Sequence, residues 1–291
     1  MMTRDYVIIT DSTNDLPEEV VNREFVDIIP FIYELDGVVY GKDKKISPED
    51  YYEGMRQGKD TKTAAANIEE IKEHMIKALD SGRDVLFFCL SSGISSTLQN
   101  AYIARDDLAE DYPEAKICVF DSLCASGGHG LLLWYAIKYY EEGLDAEASM
   151  KKLEETRKHI IHKFTVDDLH YLQRGGRISK ASAVVGTMIN IKPLLHVDDE
   201  GFLKAESKVR GRKKALASLV DAMEASLGSQ RDKQEYMVIC HSDCIDDANY
   251  VADLMRERFH PKEIGMHMMT PTIGAHTGPG TMAIFGTGDK R

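Results

Sequence analysis

The first half of the chain alternates between short apolar runs and helical patterns. Apolar, β-branched segments at Tyr6–Thr10, Val85–Leu90 and Ile117–Phe120 have the length and composition of buried strands. Between them, apolar residues recur at helical spacing, as in Ile68–Leu79 and Gly127–Tyr140. Strands that are apolar on both faces and separated by helices predict an α/β fold, with a parallel sheet covered by helices on both faces.

Polar residues mark where further elements begin and turn. Val26–Leu35 predicts an extended segment, and Asp36-Gly37 after it predicts a tight hairpin turn. Ser47-Pro48 predicts a helix start, because a hydroxyl can cap the first turn and proline suits its first position. A further helix is expected at Ser95–Leu108.

The pattern changes in the second half of the chain. Ala146–His162 predicts a long amphipathic helix that connects two parts, so we divide the chain into domains 1–162 and 163–291. Turn-forming residues between Leu194–Val197 and Phe202-Leu203 predict a hairpin. The remaining predicted helices and strands are Lys213–Leu227, Tyr236–Cys240, Asp246–Phe259, Gly265–Met269 and Thr281–Phe285. This half therefore predicts a second α/β domain with a mixed sheet.

Composition and charge exclude several classes of protein. The 291 residues carry 36 Lys and Arg against 48 Asp and Glu, a net charge of −12, and 43% of them are hydrophobic. An acidic chain without long basic runs lacks the clustered cations that nucleic-acid binding needs. No apolar stretch approaches the ~20 residues of a membrane span, and the N-terminus lacks the apolar core of a secretory signal. We therefore expect a cytoplasmic protein with no integral membrane segment.

The five cysteines indicate free thiols. An odd number in a chain of this length is not typical of a disulfide framework. Cys240-His241 and Cys244 form the one cluster of metal-binding residue types, but their spacing matches no common zinc pattern. We therefore expect neither a metal nor a cofactor.

Three hydroxyl-rich loops follow predicted strands and precede helical segments. They contain, in chain order, Asp11, Ser12 and Thr13; Ser91, Ser92, Gly93, Ser95, Ser96 and Thr97; and Asp121 and Ser122. Because such loops meet at the carboxyl edge of a parallel sheet, their hydroxyls and the free N–H groups of helix starts would suit an anion. Plain helix capping is the alternative interpretation of each loop. A nucleophilic serine paired with a distant histidine also stays open, although no Gly-x-Ser-x-Gly motif is present.

Two basic segments and one histidine complete the candidate chemistry. The first segment is a pair of glycines between two arginines: Arg174, Gly175, Gly176 and Arg177. Its guanidinium groups can bind a carboxylate or phosphate, or stay solvated. Lys208–Lys214 is a basic cluster that predicts either a docking patch for an acidic partner or a solvated helix start. His276 lies among glycines, a setting that favours a role in a site.

Taken together, six short segments in a fixed order resemble the DegV family over nearly the whole chain. The segments are Asp11–Leu16, Leu90–Ala101, Phe120–Ser122, Leu172–Ser179, Ile191–Pro193 and Ala275–Gly280. The resemblance implies a non-enzymatic lipid-binding protein, which holds one long-chain fatty acid such as palmitate, stearate or oleate in a cleft between two α/β domains. It also implies a partner, an ATP-dependent fatty acid kinase that converts the presented carboxylate into an acyl phosphate for phospholipid synthesis.

The resemblance assigns roles to individual residues. Thr63, Ser95 and His276 correspond to the groups that hold the fatty acid carboxylate, and Arg210 corresponds to a residue implicated in contact with the kinase. The chain departs from the family pattern beside this site. Thr63 is followed by Ala-Ala-Ala-Asn instead of Ser-Gln-Pro-Ser, and Ser96 replaces a glycine.

An apolar channel for the tail is expected beside the carboxylate. Its candidate lining is the apolar run Ala183–Leu195 and the methionine-rich Met266–Met269, for which ordinary core is the alternative. Two enzymatic alternatives stay open. One is a hydrolase of acyl esters that uses Ser95 and His276, and the other is a small-molecule enzyme resembling dihydroxyacetone kinase.

Overall fold

The computed structural model describes residues 5–179, 190–289 and 291. The strands are β1 (Tyr6–Asp11), β2 (Val26–Ile29), β3 (Ile32–Leu35), β4 (Val38–Tyr40), β5 (Thr61–Ala64), β6 (Asp84–Cys89), β7 (Ile117–Asp121), β8 (Ile160–Thr165), β9 (Ile191–Val197), β10 (Leu203–Arg210), β11 (Tyr236–His241), β12 (Glu263–Met268) and β13 (Met282–Thr287). The α-helices are α1 (Glu18–Val21), α2 (Pro48–Arg56), α3 (Ile68–Asp80), α4 (Thr97–Leu108), α5 (Gly127–Glu141), α6 (Ala146–Thr156), α7 (His170–Arg174), α8 (Arg212–Leu227), α9 (Ile245–Phe259) and α10 (Pro271–Thr277).

The first sheet is parallel and has helices on both faces, which confirms the predicted α/β fold of the N-terminal half. Its strand order is β2-β1-β6-β7. Alternate side chains of β1 point to opposite faces, so Tyr6 and Ile8 pack in one apolar core, and Val7 and Ile9 pack in another with α3 and α4. This arrangement places the loops after β1, β6 and β7 together at the carboxyl edge.

The second sheet is mixed, as predicted for the C-terminal half. Its order is β10-β9-β8-β13-β11-β12, and only β11 and β12 run parallel among these pairs. Helices α8 and α9 cover one face with the apolar cluster that includes Leu219, Val220 and Val251. The predicted hairpin is β9–β10, although both strands are longer than the sequence pattern indicated.

Helix α5 joins the two sheets. Its apolar residues share one core with Tyr6 and Ile8 of β1 and with Phe164 and Phe285 of the second sheet. Gly128 permits the close approach, because a Cβ atom there would lie 2.1 Å from the Nε2 atom of His162. The carboxyl edge of the parallel sheet therefore faces the mixed sheet.

One predicted helix is wrong at its C-terminal end. The helix predicted over Ala146–His162 stops at Thr156, and β8 begins at Ile160 with all 6 of its residues buried. Burial inside the sheet and β-branched side chains override the helical pattern there. The division into 1–162 and 163–291, which falls within β8, stays a prediction.

The extended segment predicted over Val26–Leu35 is two strands in different sheets. It breaks at Pro30, which has no N–H to donate to a strand ladder. After the break, β3 pairs with β4 across the predicted Asp36-Gly37 turn and with β5 on its other side, in a small antiparallel sheet. Sequence reasoning missed β5, whose Thr61–Ala64 segment has too few apolar residues to stand out. The helix predicted at Ser95 begins two positions later, at Thr97.

Candidate functional site

A cavity of about 290 Å³ lies where the carboxyl edge of the parallel sheet meets the mixed sheet. This volume is near the lower end of the range for small-molecule sites. Its lining includes the three residues assigned by resemblance: Thr63 on β5, Ser95 in the loop after β6, and His276 on α10. The fold thus brings together side chains from three distant parts of the chain.

Thr63 and His276 are in direct contact. The Thr63 hydroxyl oxygen lies 2.8 Å from the Nε2 atom of His276. The other ring nitrogen, Nδ1, is buried and has no partner among the described residues. With its hydrogen on Nε2, His276 donates to Thr63 and leaves the Thr63 hydroxyl free to donate to an anion in the cavity.

The histidine is held in its neutral form. Burial, together with the nearby cations Arg177 and Arg174, lowers the pKa of His276 to about 4. Gly175 makes room for the ring, because a Cβ atom at this position would lie 2.3 Å from Nδ1. His276 is therefore a hydrogen-bonding group at neutral pH and supplies no positive charge.

Arg177 supplies a positive charge beside the three residues. It lines the cavity, and its side chain donates to the backbone oxygens of Ile94, at 3.1 Å, and Gly175. Within the described chain, Arg177 has no carboxylate partner, and burial lowers its pKa. Arg174 differs, because it pairs with Asp60 at 3.0 Å and lies outside the lining. An anion near Ser95 would therefore meet one uncompensated guanidinium.

Ser95 presents its hydroxyl from a turn before α4. Its Oγ lies 2.9 Å from the Thr97 hydroxyl and accepts the Thr97 N–H at 3.3 Å. His276 contacts Thr63 instead. Ser95 and His276 are thus each engaged with a different threonine, an arrangement that does not favour the serine–histidine hydrolase.

Most of the remaining cavity wall is apolar. It includes Phe31, Leu90, Phe164, Val197, Leu203 and Phe285. Of Met266–Met269, only Met269 lines the cavity, and Met266 packs in the core under α8 and α9. Of Ala183–Leu195, residues 183–189 lie outside the described part of the chain, and Leu194 and Leu195 are core residues. Met266, Leu194 and Leu195 therefore fit the ordinary-core alternative, and the tail channel stays a prediction.

The other predicted loop residues divide into two groups. Thr13, Ser96 and Arg177 line the cavity. The rest lie outside the lining: Asp11, Ser12, Ser92, Gly93, Thr97, Ser122, Arg174, Gly175 and Gly176. Several of these residues shape the loops, since an Asp11 carboxylate oxygen accepts the Thr13 N–H at 2.8 Å and Ser12 accepts the Phe31 N–H at 3.0 Å. Asp11 and Ser12 therefore support the loop after β1, whereas the N-cap residues of α1, α4 and α5 make no side-chain capping hydrogen bond.

Sequence reasoning missed the role of a buried acid, Asp15, which supports the cavity wall. The Asp15 carboxylate accepts hydrogen bonds from the Ser126 hydroxyl at 2.5 Å and the Thr270 N–H at 2.8 Å. Burial raises the pKa of Asp15. Ser126 lines the cavity, and Thr270 precedes the helix that carries His276. Asp15 lies in the family segment Asp11–Leu16, but nothing local indicates its role, because its partners are more than a hundred positions away.

Arg210 lies away from the cavity, on the edge strand β10. The basic segment divides there, because Lys208 and Arg210 belong to the strand and α8 begins at Arg212. Arg210 is exposed and forms no ion pair with any residue that the structure describes. Arg212, in contrast, pairs with Asp247 at 2.8 Å. The solvated-helix interpretation therefore does not apply to Arg210.

Comparisons with known proteins agree with this fold. A family model described as "Uncharacterised protein, DegV family" matches residues 5–287. The chain belongs to the DegV family. A DegV domain-containing protein of Clostridium perfringens is 34% identical over 290 residues, which cover 99% of each chain.

Two solved DegV structures resemble the chain over nearly their whole length. One, described as showing fatty acid binding of a DegV family protein from Thermus thermophilus, is 29% identical, with a TM-score of 0.86 over 98% of this chain and 99% of that one. The other, DegV of Bacillus subtilis, is described as a fatty acid binding protein. It is 26% identical, with a TM-score of 0.83 over 99% of this chain and 100% of that one.

No helix in the described ranges has both the length and the apolar character needed to cross a bilayer. The same ranges contain no group of three or more histidine, cysteine or acidic side chains placed to hold a metal ion. The cytoplasmic location stays a prediction.

Proposed function

We propose that the chain binds one long-chain fatty acid and presents its carboxylate to a separate ATP-dependent kinase. The observation that carries the proposal is the cavity in which Thr63, Ser95 and His276 lie beside a mostly apolar wall. A fatty acid combines one anion with a long apolar tail, and this lining matches both parts. The fatty-acid-binding DegV proteins of similar fold support the assignment.

The carboxylate is recognised by neutral donors and one cation. The Thr63 and Ser95 hydroxyls donate to its oxygens, and the Arg177 guanidinium compensates its charge. His276, neutral at pH 7, orients the Thr63 hydroxyl. Hydrogen bonds to a charged group are stronger than neutral ones, so the ionised acid is preferred over an uncharged head group.

The tail supplies most of the affinity. Each buried CH₂ group contributes about 0.8 kcal/mol, so a chain of sixteen carbons gains on the order of 10 kcal/mol before ordering costs. The side chains around it are large and apolar, as at Phe31, Phe164 and Phe285.

A titration of the delipidated protein tests the binding. Palmitate and hexadecanol share one tail and differ in the head group. Palmitate should bind at least about tenfold more tightly, since the alcohol lacks the charge that Thr63, Ser95 and Arg177 recognise. Equal affinities, or no binding of either, would contradict the proposed carboxylate site.

Arg210 is the proposed contact for the kinase. It is an exposed cation without an acid partner in the described chain, which suits an acidic partner surface. In Arg210→Glu, formation of acyl phosphate by the kinase should need a higher concentration of the binding protein, while palmitate affinity is unchanged. Arg256→Glu, at an exposed arginine of α9 that pairs with Asp253, is the control for reversing a surface charge elsewhere. Loss of palmitate affinity in Arg210→Glu would show that the residue serves the fold or the cavity instead.

A further inference from the structure

The turn between β9 and β10 is fastened to the serine-rich loop of the other sheet. The Ser91 hydroxyl donates to the Gly201 backbone oxygen at 2.9 Å. Ser91 is 0% exposed and follows β6, whereas Gly201 belongs to the turn of the hairpin. One hydrogen bond therefore ties the carboxyl edge of the parallel sheet to the mixed sheet.

Ser91 also determines the backbone path of the loop that carries Ser95. Its carbonyl oxygen accepts the N–H groups of Ile94 at 3.2 Å and Ser95 at 3.1 Å. Its hydroxyl oxygen accepts the Gly93 N–H at 3.1 Å. The same residue thus binds both the turn of the hairpin and the turn that presents the head-group hydroxyl.

The two loops approach so closely that Gly201 and Gly93 leave no room for a Cβ atom. A Cβ atom on Gly201 would lie 2.1 Å from the Ser91 hydroxyl oxygen, and one on Gly93 would lie 2.7 Å from the Gly201 backbone oxygen. Val197 and Leu203, which flank the hairpin turn, both line the cavity. The contact therefore fixes the apolar wall made by the hairpin relative to Ser95.

We infer that Ser91 is a positioning residue. It fixes the position of the Ser95 hydroxyl relative to the hairpin residues that line the cavity, so that the carboxylate and the tail of one ligand are bound together. The inference rests on the proposed fatty acid binding. Ser91 itself touches no ligand, because it lies outside the cavity lining. Its effect passes through the Ser95 backbone on one side and the Gly201 turn on the other.

The test compares Ser91→Ala with a matched serine. Ser149→Ala removes an equally buried hydroxyl, which lies 2.9 Å from the Tyr6 hydroxyl and outside the cavity lining. In Ser91→Ala, the preference for palmitate over hexadecanol should fall about tenfold, because a displaced Ser95 loses the charged hydrogen bond and not the tail contacts. In Ser149→Ala the preference should be unchanged. An unchanged preference in Ser91→Ala, or an equal loss for both ligands, would overturn the inference.

A second measurement needs no ligand and separates the two proposals. In the delipidated protein, Ser91→Ala should raise the amide hydrogen exchange rates of Gly93, whose N–H loses the Ser91 hydroxyl as its acceptor, and of Ser95 in the same turn about tenfold over those in Ser149→Ala. If these rates rise but the parent protein binds no fatty acid, the binding proposal fails and the positioning role of Ser91 stands. If the parent binds palmitate and the rates do not rise, the positioning role is wrong.

Gly201→Ala approaches the same contact from the other side. Its Cβ would push against the Ser91 hydroxyl, so the preference for palmitate should fall as in Ser91→Ala. Gly143→Ala is its control, because Gly143 has a similar positive φ of +85° and nothing within 4 Å of an added Cβ. An effect of the same size in Gly143→Ala would attribute the result to backbone strain and contradict the inference.

Discussion

The Nε2 atom of His276 lies 2.8 Å from the hydroxyl oxygen of Thr63, although 213 positions separate the two residues in the chain. The contact joins α10 to the edge strand β5 at the cavity. A threonine hydroxyl can rotate to several orientations. The contact with His276 favours the one in which the Thr63 hydroxyl donates into the cavity. The head-group end of the site is therefore preorganised before any ligand arrives.

Thr63→Val should weaken palmitate binding about tenfold and leave hexadecanol binding nearly unchanged. Valine keeps the shape and the strand preference of threonine, and it removes only the hydroxyl that meets the carboxylate. Isothermal titration with both ligands measures the difference. Thr63→Ser is the control, because it keeps the hydroxyl and should bind palmitate almost as the parent does. Equal palmitate affinity in Thr63→Val and Thr63→Ser would remove Thr63 from the site.

His276 should make the folded protein less stable at acidic pH. Its pKa is about 4 in the folded state, against an ordinary value of 6.5, so the unfolded chain binds more protons between these values. Stability from this residue is complete above pH 6.5 and is lost as the pH falls towards 4, by at most about 3 kcal/mol. Urea unfolding of the parent and of His276→Gln at pH 7.5 and 4.5 measures the effect. The stability advantage of the parent should shrink at pH 4.5.

The control for the pH experiment is an exposed histidine. His170→Gln should leave the pH dependence as it is in the parent. A parent whose advantage over His276→Gln is the same at both pH values would show that His276 is not held neutral by burial.

Gly175→Ala should disturb the head-group end of the site without straining the backbone. Gly175 has a φ of −69°, which alanine adopts readily, but the new Cβ would lie 2.3 Å from Nδ1 of His276. The ring must move, so the contact between His276 and Thr63 should break and palmitate affinity should fall about tenfold, as in Thr63→Val. Titration calorimetry of Gly175→Ala and of the double variant with Thr63→Val checks this. Additive losses in the double variant would contradict a shared mechanism.

Arg177→Met should raise the pKa of His276. Arg177 is the first of the two cations that lower this pKa, after burial itself. Methionine keeps an apolar side chain of similar length and removes the charge. Histidine NMR titration should show His276 protonating at a higher pH than in the parent. Arg105→Met, at a half-buried arginine on α4 that lies outside the cavity lining, should leave the His276 titration unchanged. The same pKa in all three proteins would show that Arg177 does not act on the ring.

Local sequence signals were sufficient to predict the main strands and helices of the fold. Apolar runs such as Val85–Leu90 predicted the parallel sheet, and the Asn67 capping box begins α3 where the apolar helical pattern starts. Helix α6 and strand β8 could not be separated, because what makes Ile160–Thr165 a strand is burial between neighbours that are distant in sequence.

Site residues could be predicted from the sequence only where a family motif includes them. Thr63, Ser95 and His276 were assigned by family resemblance, and all three line the cavity. Ser91 and Asp15 lie in family segments, but their roles were not predicted, because these arise from contacts with Gly201, Ser126 and Thr270 that no spacing in the chain reveals. Tertiary hydrogen bonds of this kind require the fold itself.

Native mass spectrometry of the purified chain, followed by solvent extraction and identification of any lipid, tests fatty acid binding most directly. The account predicts one fatty acid per chain, or uptake of one palmitate by a delipidated sample, with much less uptake in Thr63→Val. A protein that is empty as purified and takes up no added fatty acid would contradict it.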